Sequence, residues 1–154
     1  MRAVIQRVTH ARVSVEGVAC GAIEQGLLVY LAAAPDDSTV EVEWFARKLA
    51  ELRIFPGEAG RMDRSVEDAG GAVLLISQFT LYADTRRGRR PAFTDAAPPE
   101  VAAPLIDATA EALRTRGLRV EQGLFGAQML VESENDGPVT IILDSADRDR
   151  PRRG

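Results

Sequence analysis

Apolar positions recur along this chain with two different periods. Residues 2–8 are rich in β-branched side chains and predict an opening strand. Arg12–Val15 alternates polar and apolar, Glu16-Gly17 supplies a turn, and Val18–Ile23 predicts another short strand. Two uninterrupted apolar runs, Leu27–Ala32 and Ala72–Ile76, fit strands buried on both faces. Between them the period lengthens: Val42, Phe45, Ala46, Leu49 and Leu52 fall on one face of a helix predicted over 39–53. Ser38, with Glu41 three residues on, forms the signature of a capping box at its start. Residues 56–71 read as loop. A second helix opens at Pro98-Pro99-Glu100, carries Val101, Leu105, Ala108 and Ala112 on one face, and is closed by Gly117. Pro104 within it has no N–H to give and is expected to kink the helix or delay its start. Leu118–Glu121, Gln128–Glu132 and Val139–Leu143 predict the last strands. The order β-β-β-α-β-α-β-β-β predicts an α/β fold in which two helices cover mixed β-sheets on one side.

Composition narrows the classes. A chain of 154 residues with 45% apolar and 27% charged residues suits one folded domain, expected over 1–145. The Arg-rich stretch 146–154 has almost no apolar side chain and is expected to lack fixed structure. One cysteine, Cys20, excludes an intrachain disulfide and favours a reducing compartment. With His10 the only histidine, a multi-histidine metal site is excluded, and no metal or cofactor is expected. No apolar run approaches the ~20 residues of a membrane span. Charge interrupts the N-terminal residues, unlike a secretory signal, so a cytoplasmic location is expected. The net charge of −4 argues against coating a nucleic acid by charge alone, and any such contact should be local.

Three segments look unlike scaffold. Ser77-Gln78-Phe79-Thr80-Leu81-Tyr82 begins where an apolar strand ends, so its polar side chains arrive at one sheet edge, where ligands commonly bind; the same residues also suit capping of backbone groups. Thr85-Arg86-Arg87-Gly88-Arg89-Arg90-Pro91 is either an anion site or a solvated charged loop, the planar guanidinium matching phosphate oxygens. Asn135-Asp136-Gly137-Pro138 has the chemistry of a hairpin turn; Gly-Pro also admits a cis bond, which would turn two successive carbonyls the same way. His10 reads as a surface or core residue, and Cys20 and Trp44 as packing.

At these segments the chain resembles the D-aminoacyl-tRNA deacylases of the bacterial and eukaryotic type, over residues 1 to about 145. The opening Met1-Arg2-Ala3-Val4-Ile5-Gln6-Arg7-Val8, Gly26-Leu27-Leu28-Val29, Leu52-Arg53-Ile54-Phe55, and Gly123-Leu124-Phe125-Gly126-Ala127 with Met129 all fit. The most specific motifs are Ser77-Gln78-Phe79-Thr80-Leu81 and Asn135-Asp136-Gly137-Pro138-Val139-Thr140. Arg89 and Ala92 stand where the family more often has Asn and Ser. The resemblance implies a three-layer arrangement of helices over β-sheets. It implies a homodimer that hydrolyses the ester between a D-amino acid and the terminal adenosine of tRNA, with the site at the subunit interface. Catalysis is then expected of Thr80, Gln78, Phe79 and Ser77, with N–H groups around Phe79 and Thr80 as an oxyanion hole. Substrate binding is expected of Gly137, Pro138, Arg7, Met129 and Phe125, with Arg7 holding the partner's Gly-Pro segment. Arg86, Arg87, Arg89 and Arg90 are expected at tRNA phosphates. Two other readings stand beside this one: a small Ser/Thr esterase acting on free metabolites, and a non-catalytic tRNA-binding module.

Overall fold

The computed structural model describes residues 1–150. The strands are β1 (Arg2–Val15), β2 (Val18–Ile23), β3 (Gly26–Ala32), β4 (Phe55–Pro56), β5 (Met62–Arg64), β6 (Ala72–Ser77), β7 (Arg119–Gln122) and β8 (Leu130–Asp144). Two α-helices join them, α1 (Thr39–Glu51) and α2 (Pro99–Thr115). The main sheet runs β2-β1-β3-β6-β7, with β8 on the other side of β1. The β3–β6 and β6–β7 pairs are parallel, and β1 is antiparallel to each of its partners.

The central pair consists of the two predicted all-apolar runs. Because side chains alternate across a strand, Leu27, Val29, Leu31, Val73 and Leu75 face the helices, while Leu28, Leu74 and Ile76 face away into a second core. Val42, Phe45, Ala46 and Leu49 of α1 cover the first core. The predicted capping box is present, Glu41 Oε2 accepting from the Ser38 N–H at 2.8 Å.

β1 corrects the prediction of separate strands over 2–8 and 12–15. It is one 14-residue strand whose buried positions change phase. Ala3 and Ile5 belong to the core under the helices, whereas Val8, Ala11 and Val13 belong to the second. The switch coincides with irregular pairing against β8 between Gln6 and His10. Residues 2–8 lie between β3 and β8, and residues 11–15 between β2 and β8. β2 therefore folds back over β6 and β7, and Gly21 permits the approach: a Cβ there would lie 2.8 Å from the Gln122 carbonyl oxygen and 3.2 Å from Leu74 Cδ1. Helices, central sheet and folded-over half make the three layers.

The last two predicted strands are likewise one, the 15-residue β8. Asn135–Pro138 is not a hairpin turn. Val8 pairs with Asn135 and Gln6 with Thr140, so the segment bulges out of a strand that continues along β1. The stripe of α2 differs too: its buried residues are Ala102, Ile106, Thr109, Ala110 and Leu113, with Leu105, Ala108 and Ala112 flanking them. The helix begins at Pro99 despite Pro104, with Val101 and Ala102 N–H groups bonded to the Pro98 carbonyl. Within the loop 56–71, β4 and β5 form a small antiparallel ladder. Cys20, predicted to pack, is exposed on the edge strand β2. Of the stretch 146–154, Ser145–Asp147 forms a 3₁₀ turn and Arg148 reaches Glu41 at 2.9 Å, while 151–154 lie outside the described residues.

Candidate active site

β6 carries the first motif to the edge of the sheet. Its apolar residues are buried through Ile76, and the polar side chains begin at Ser77, where the strand ends. The ladder outlasts the strand by one bond, the Gln78 N–H donating to the Leu31 carbonyl at 2.9 Å. The chain then turns through a 3₁₀ helix at Phe79–Tyr82. Neither the Phe79 nor the Thr80 N–H finds an acceptor among the described residues, as expected for the first donors of a helical turn. Gln78 Nε2 donates to Thr80 Oγ1 at 2.6 Å, and Phe79 and Thr80 are exposed.

A cavity of about 550 Å³ opens beside this turn. Ser77 and Gln78 supply its polar edge, Phe79 adds an apolar ring beside them, and Phe125 and Met129 border it from the loop before β8. Its remaining wall is the first turns of α2 with the segment before it, notably Phe93, Pro98 and Ile106. Phe93 meets Phe79 edge to face, with ring centroids 5.0 Å apart. Thr80 stands just past the lining residues and is tied to the cavity through Gln78.

The second motif lies elsewhere. Gly137 and Pro138 are exposed at the bulge of β8 and do not line the cavity of their own chain; nor does Arg7. The Gly137–Pro138 bond is cis, and Gly137 has φ +136°. Arg7 is buried beneath the bulge. Its Nε donates to the Asp136 carbonyl at 3.1 Å and pairs with the Asp136 carboxylate at 3.0 Å, while Nη1 donates to the Ile54 carbonyl. Within its own chain Arg7 thus anchors the Asn135–Pro138 segment, because β1 and β8 pair side by side. Asn135 braces the bulge from the other end, accepting from the Val139 N–H at 2.9 Å and donating to Thr140 Oγ1 at 3.1 Å.

The arginine segment forms a closed loop next to the cavity wall. Asp84 and Ala92 exchange both backbone hydrogen bonds, at 2.8 and 3.0 Å. Arg86 folds back across this neck, Nε and Nη2 donating to the two Asp84 carboxylate oxygens at 2.9 and 2.7 Å. Those bonds, with the Arg86 N–H, hold the Asp84 carboxyl down at about 2. Arg87, Arg89 and Arg90 are exposed and form no ion pair among the described residues. His10 is also exposed, its Nδ1 3.2 Å from Thr9 Oγ1; it pairs with Glu134, next to the second motif, and does not line the cavity. Among the described residues, no group of three or more His, Cys, Asp or Glu side chains could hold a metal ion, and no helix is long and apolar enough to cross a membrane.

Sequence reasoning missed the α2 wall and the neck at Asp84–Ala92. The wall had a signal, the small residues Ala96-Ala97 before Pro98, but their meaning depends on a helix packing across a strand end. The neck pairs residues whose intervening sequence shows only charge.

A family profile described as D-Tyr-tRNA(Tyr) deacylase matches residues 4–144. A D-aminoacyl-tRNA deacylase of Chloroflexus aurantiacus is 56% identical over 153 residues, covering 99% of this chain and 96% of that protein. One from Roseiflexus sp. (strain RS-1) is 58% identical over 152 residues, covering 99% and 98%. Among solved structures, a c-Myc DNA unwinding element binding protein superposes with a TM-score of 0.87 at 40% identity, covering 94% of this chain and 98% of that one. A probable eukaryotic D-amino acid tRNA deacylase shares the fold, with a TM-score of 0.82 at 19% identity over 92% of this chain and 97% of that one.

Proposed function

Because the chain belongs to the D-Tyr-tRNA(Tyr) deacylase family, as a hydrolase of D-aminoacyl-tRNA, we propose that it judges handedness with main-chain atoms at Gly137–Pro138 and assists hydrolysis with the turn at Phe79–Thr80. An enzyme of this kind must accept many side chains and refuse the L-configuration. A cavity shaped for tyrosine would fail on aspartate, so the test must grip what all substrates share: the α-ammonium, Cα and the ester carbonyl. Glycine, with no Cβ, lets backbone press close to that region. In such a grip an L side chain collides with protein while a D side chain points to solvent, and the wrong substrate is refused by steric exclusion.

The observation that carries this reading is the separation of the two motifs within one chain. Gly137 and Pro138 are exposed and outside their own cavity, yet held firmly by Arg7 and Asn135. A braced, solvent-facing dipeptide suits insertion into another molecule. We therefore assign the working enzyme as a homodimer, each copy completing the other's site. The rim supports this: Phe79 and Phe125, which both line the cavity, are 56% and 39% exposed, an apolar border suited to a second copy.

Hydrolysis transfers an acyl group to water and develops negative charge on the carbonyl oxygen. The two free N–H groups at Phe79 and Thr80 suit that oxygen, and losing one such donor costs ~10²–10³ in rate in other enzymes. Thr80 lacks a base to activate it as a nucleophile: its side-chain partner is an amide N–H donor. The vicinal ribose hydroxyl of the substrate already activates the ester, so Thr80, Gln78 and Ser77 position rather than attack. Phe125 and Met129 border the space for the terminal nucleoside, and Arg87, Arg89 and Arg90 meet phosphates, with Arg86 committed to Asp84. The enzyme acts in the cytoplasm as a single domain over residues 1–145, releasing the free D-amino acid and tRNA as a proofreading step in translation.

The test compares D-tyrosyl-, L-tyrosyl- and glycyl-tRNA side by side. The D-ester should be cleaved and the L-ester spared. Glycyl-tRNA should also be cleaved, because a site built on exclusion finds nothing in glycine to exclude. A protein that cleaves D-tyrosyl-tRNA but leaves glycyl-tRNA intact does not discriminate by exclusion.

A further inference from the structure

We propose that Arg2 is a positioning residue for deacylation, fixing the C-terminal end of the Phe79–Tyr82 turn and through it the N–H groups at Phe79 and Thr80. The proposal rests on that turn being the catalytic element, as argued above. The two ends of the turn are secured differently. Its N-terminal end continues the sheet, through the Gln78 N–H bond to Leu31. At its C-terminal end the backbone bond is internal, from the Ala83 N–H to the Thr80 carbonyl at 3.1 Å.

Arg2 supplies the outside anchor. Its Nη1 donates to the Leu81 carbonyl at 2.9 Å. The rest of the guanidinium is fixed from behind: Nε lies 2.9 Å and Nη2 2.8 Å from Asp144 Oδ2, at the end of β8. The guanidinium carbon sits 4.7 Å from the centroid of the Tyr82 ring, itself the last residue of the turn. Asp144 is oriented in turn, its Oδ1 accepting from the Ala146 N–H at 3.0 Å. One planar group thus joins the start of β1, the end of β8 and the turn.

The planarity matters. Donors in a fixed fork can meet the carboxylate and the carbonyl at once while the flat face lies on tyrosine; an ammonium is a point charge and cannot do all three. Arg2 does not line the cavity, so its effect must travel through the turn. A displacement of ~1 Å at a reacting group can cost ~10²-fold in rate.

The experiment measures steady-state deacylation of D-tyrosyl-tRNA together with amide hydrogen exchange over residues 78–83, for the full chain and the variants Arg2→Ala, Arg2→Lys and Asp144→Asn. Arg2→Ala should lower kcat by roughly 10- to 100-fold with little change in KM. Exchange should quicken in 78–83 and stay at the wild-type level in 72–77. Arg2→Lys should recover only part of kcat. Asp144→Asn should show a smaller fall that does not add to that of Arg2→Ala. If Arg2→Ala fails to fold, the near-isosteric pair Arg2→Lys and Asp144→Asn decides by the same two readouts. Unchanged exchange in 78–83 overturns the proposal alone, since the turn would hold without Arg2. Quickened exchange with wild-type kcat overturns it along with the assignment of the turn as catalytic. A rise in KM at constant kcat overturns it by moving Arg2 to substrate binding.

Discussion

Replacing Gly137 with alanine tests the proposed chiral grip most directly. Gly137 has φ +136°, a conformation that L side chains rarely adopt. A Cβ there would lie 2.7 Å from Val139 Cγ2 and 2.9 Å from the Val139 backbone nitrogen. The methyl contact can be relieved by rotation, but the nitrogen belongs to a bond that braces the bulge, to Asn135 Oδ1. Arg7 Nη2, 3.3 Å away, would have to move as well. Backbone strain of this kind costs ~1–3 kcal/mol and forced overpacking about as much again, giving an expected loss of about 2–4 kcal/mol. Urea denaturation reads that loss as a lower midpoint at unchanged slope. Gly60→Ala is the control, because Gly60 also has positive φ, +71°, but nothing lies within 4 Å of the added Cβ. It should cost ~1–2 kcal/mol and leave deacylation untouched. Gly137→Ala, assayed where it is folded, should cleave D-tyrosyl-tRNA at least ~10-fold more slowly, one decade being ~1.4 kcal/mol of lost transition-state stabilisation. Wild-type stability would refute the steric argument. Lost stability with full activity and full discrimination would refute Gly137 as the point where handedness is judged.

Thr80→Ala removes an exposed hydroxyl whose one side-chain partner is Gln78, and it should slow single-turnover deacylation by ~10-fold or less, as for one neutral hydrogen bond; complete loss in a folded variant would instead make Thr80 the nucleophile. Reversing Arg87, Arg89 and Arg90 to glutamate should raise KM for charged tRNA and flatten its salt dependence by roughly 0.7 in log–log slope per phosphate contact removed; an unchanged slope would mean that the loop carries no phosphate contacts. The Asp84 carboxyl, titrated by NMR, should show a midpoint of about 2, and in Arg86→Ala it should return toward ~3.9. The sign follows from the depressed folded-state value: the Asp84–Arg86 interaction contributes in full above the unfolded carboxylate range and is lost as pH falls through about 2.

The parts of the fold legible in the sequence were those decided locally. The runs Leu27–Ala32 and Ala72–Ile76 have no polar residue to place on a wet face, so they could only be central strands. Ser38 and Glu41 marked the start of α1 because both halves of the cap lie within four residues. The Ser77–Thr80 segment stood out by the abrupt change from apolar to polar at a strand end. Other features depend on partners distant in sequence. β1 looks like two strands because its buried side changes at Val8, a change that makes sense only with two cores to fill. Asn135–Pro138 reads as a turn by its local chemistry, but pairing of β8 along β1 on both sides of it overrides that preference. Arg7, charged and near the end of a strand, gives no sign of burial; it is buried because the Ile54 and Asp136 carbonyls and the Asp136 carboxylate meet its donors.

The neck at Asp84–Ala92 has a mechanical consequence. Two main-chain bonds and the folded-back Arg86 cinch the base of the loop, so its tip hangs from the body like a bead on a closed clasp. Changes beyond the clasp are insulated from Phe93 and the chamber it borders. Selection can therefore rewrite the tip, charge for charge, to suit whatever the molecule must hold, while the chemistry a few residues away continues undisturbed.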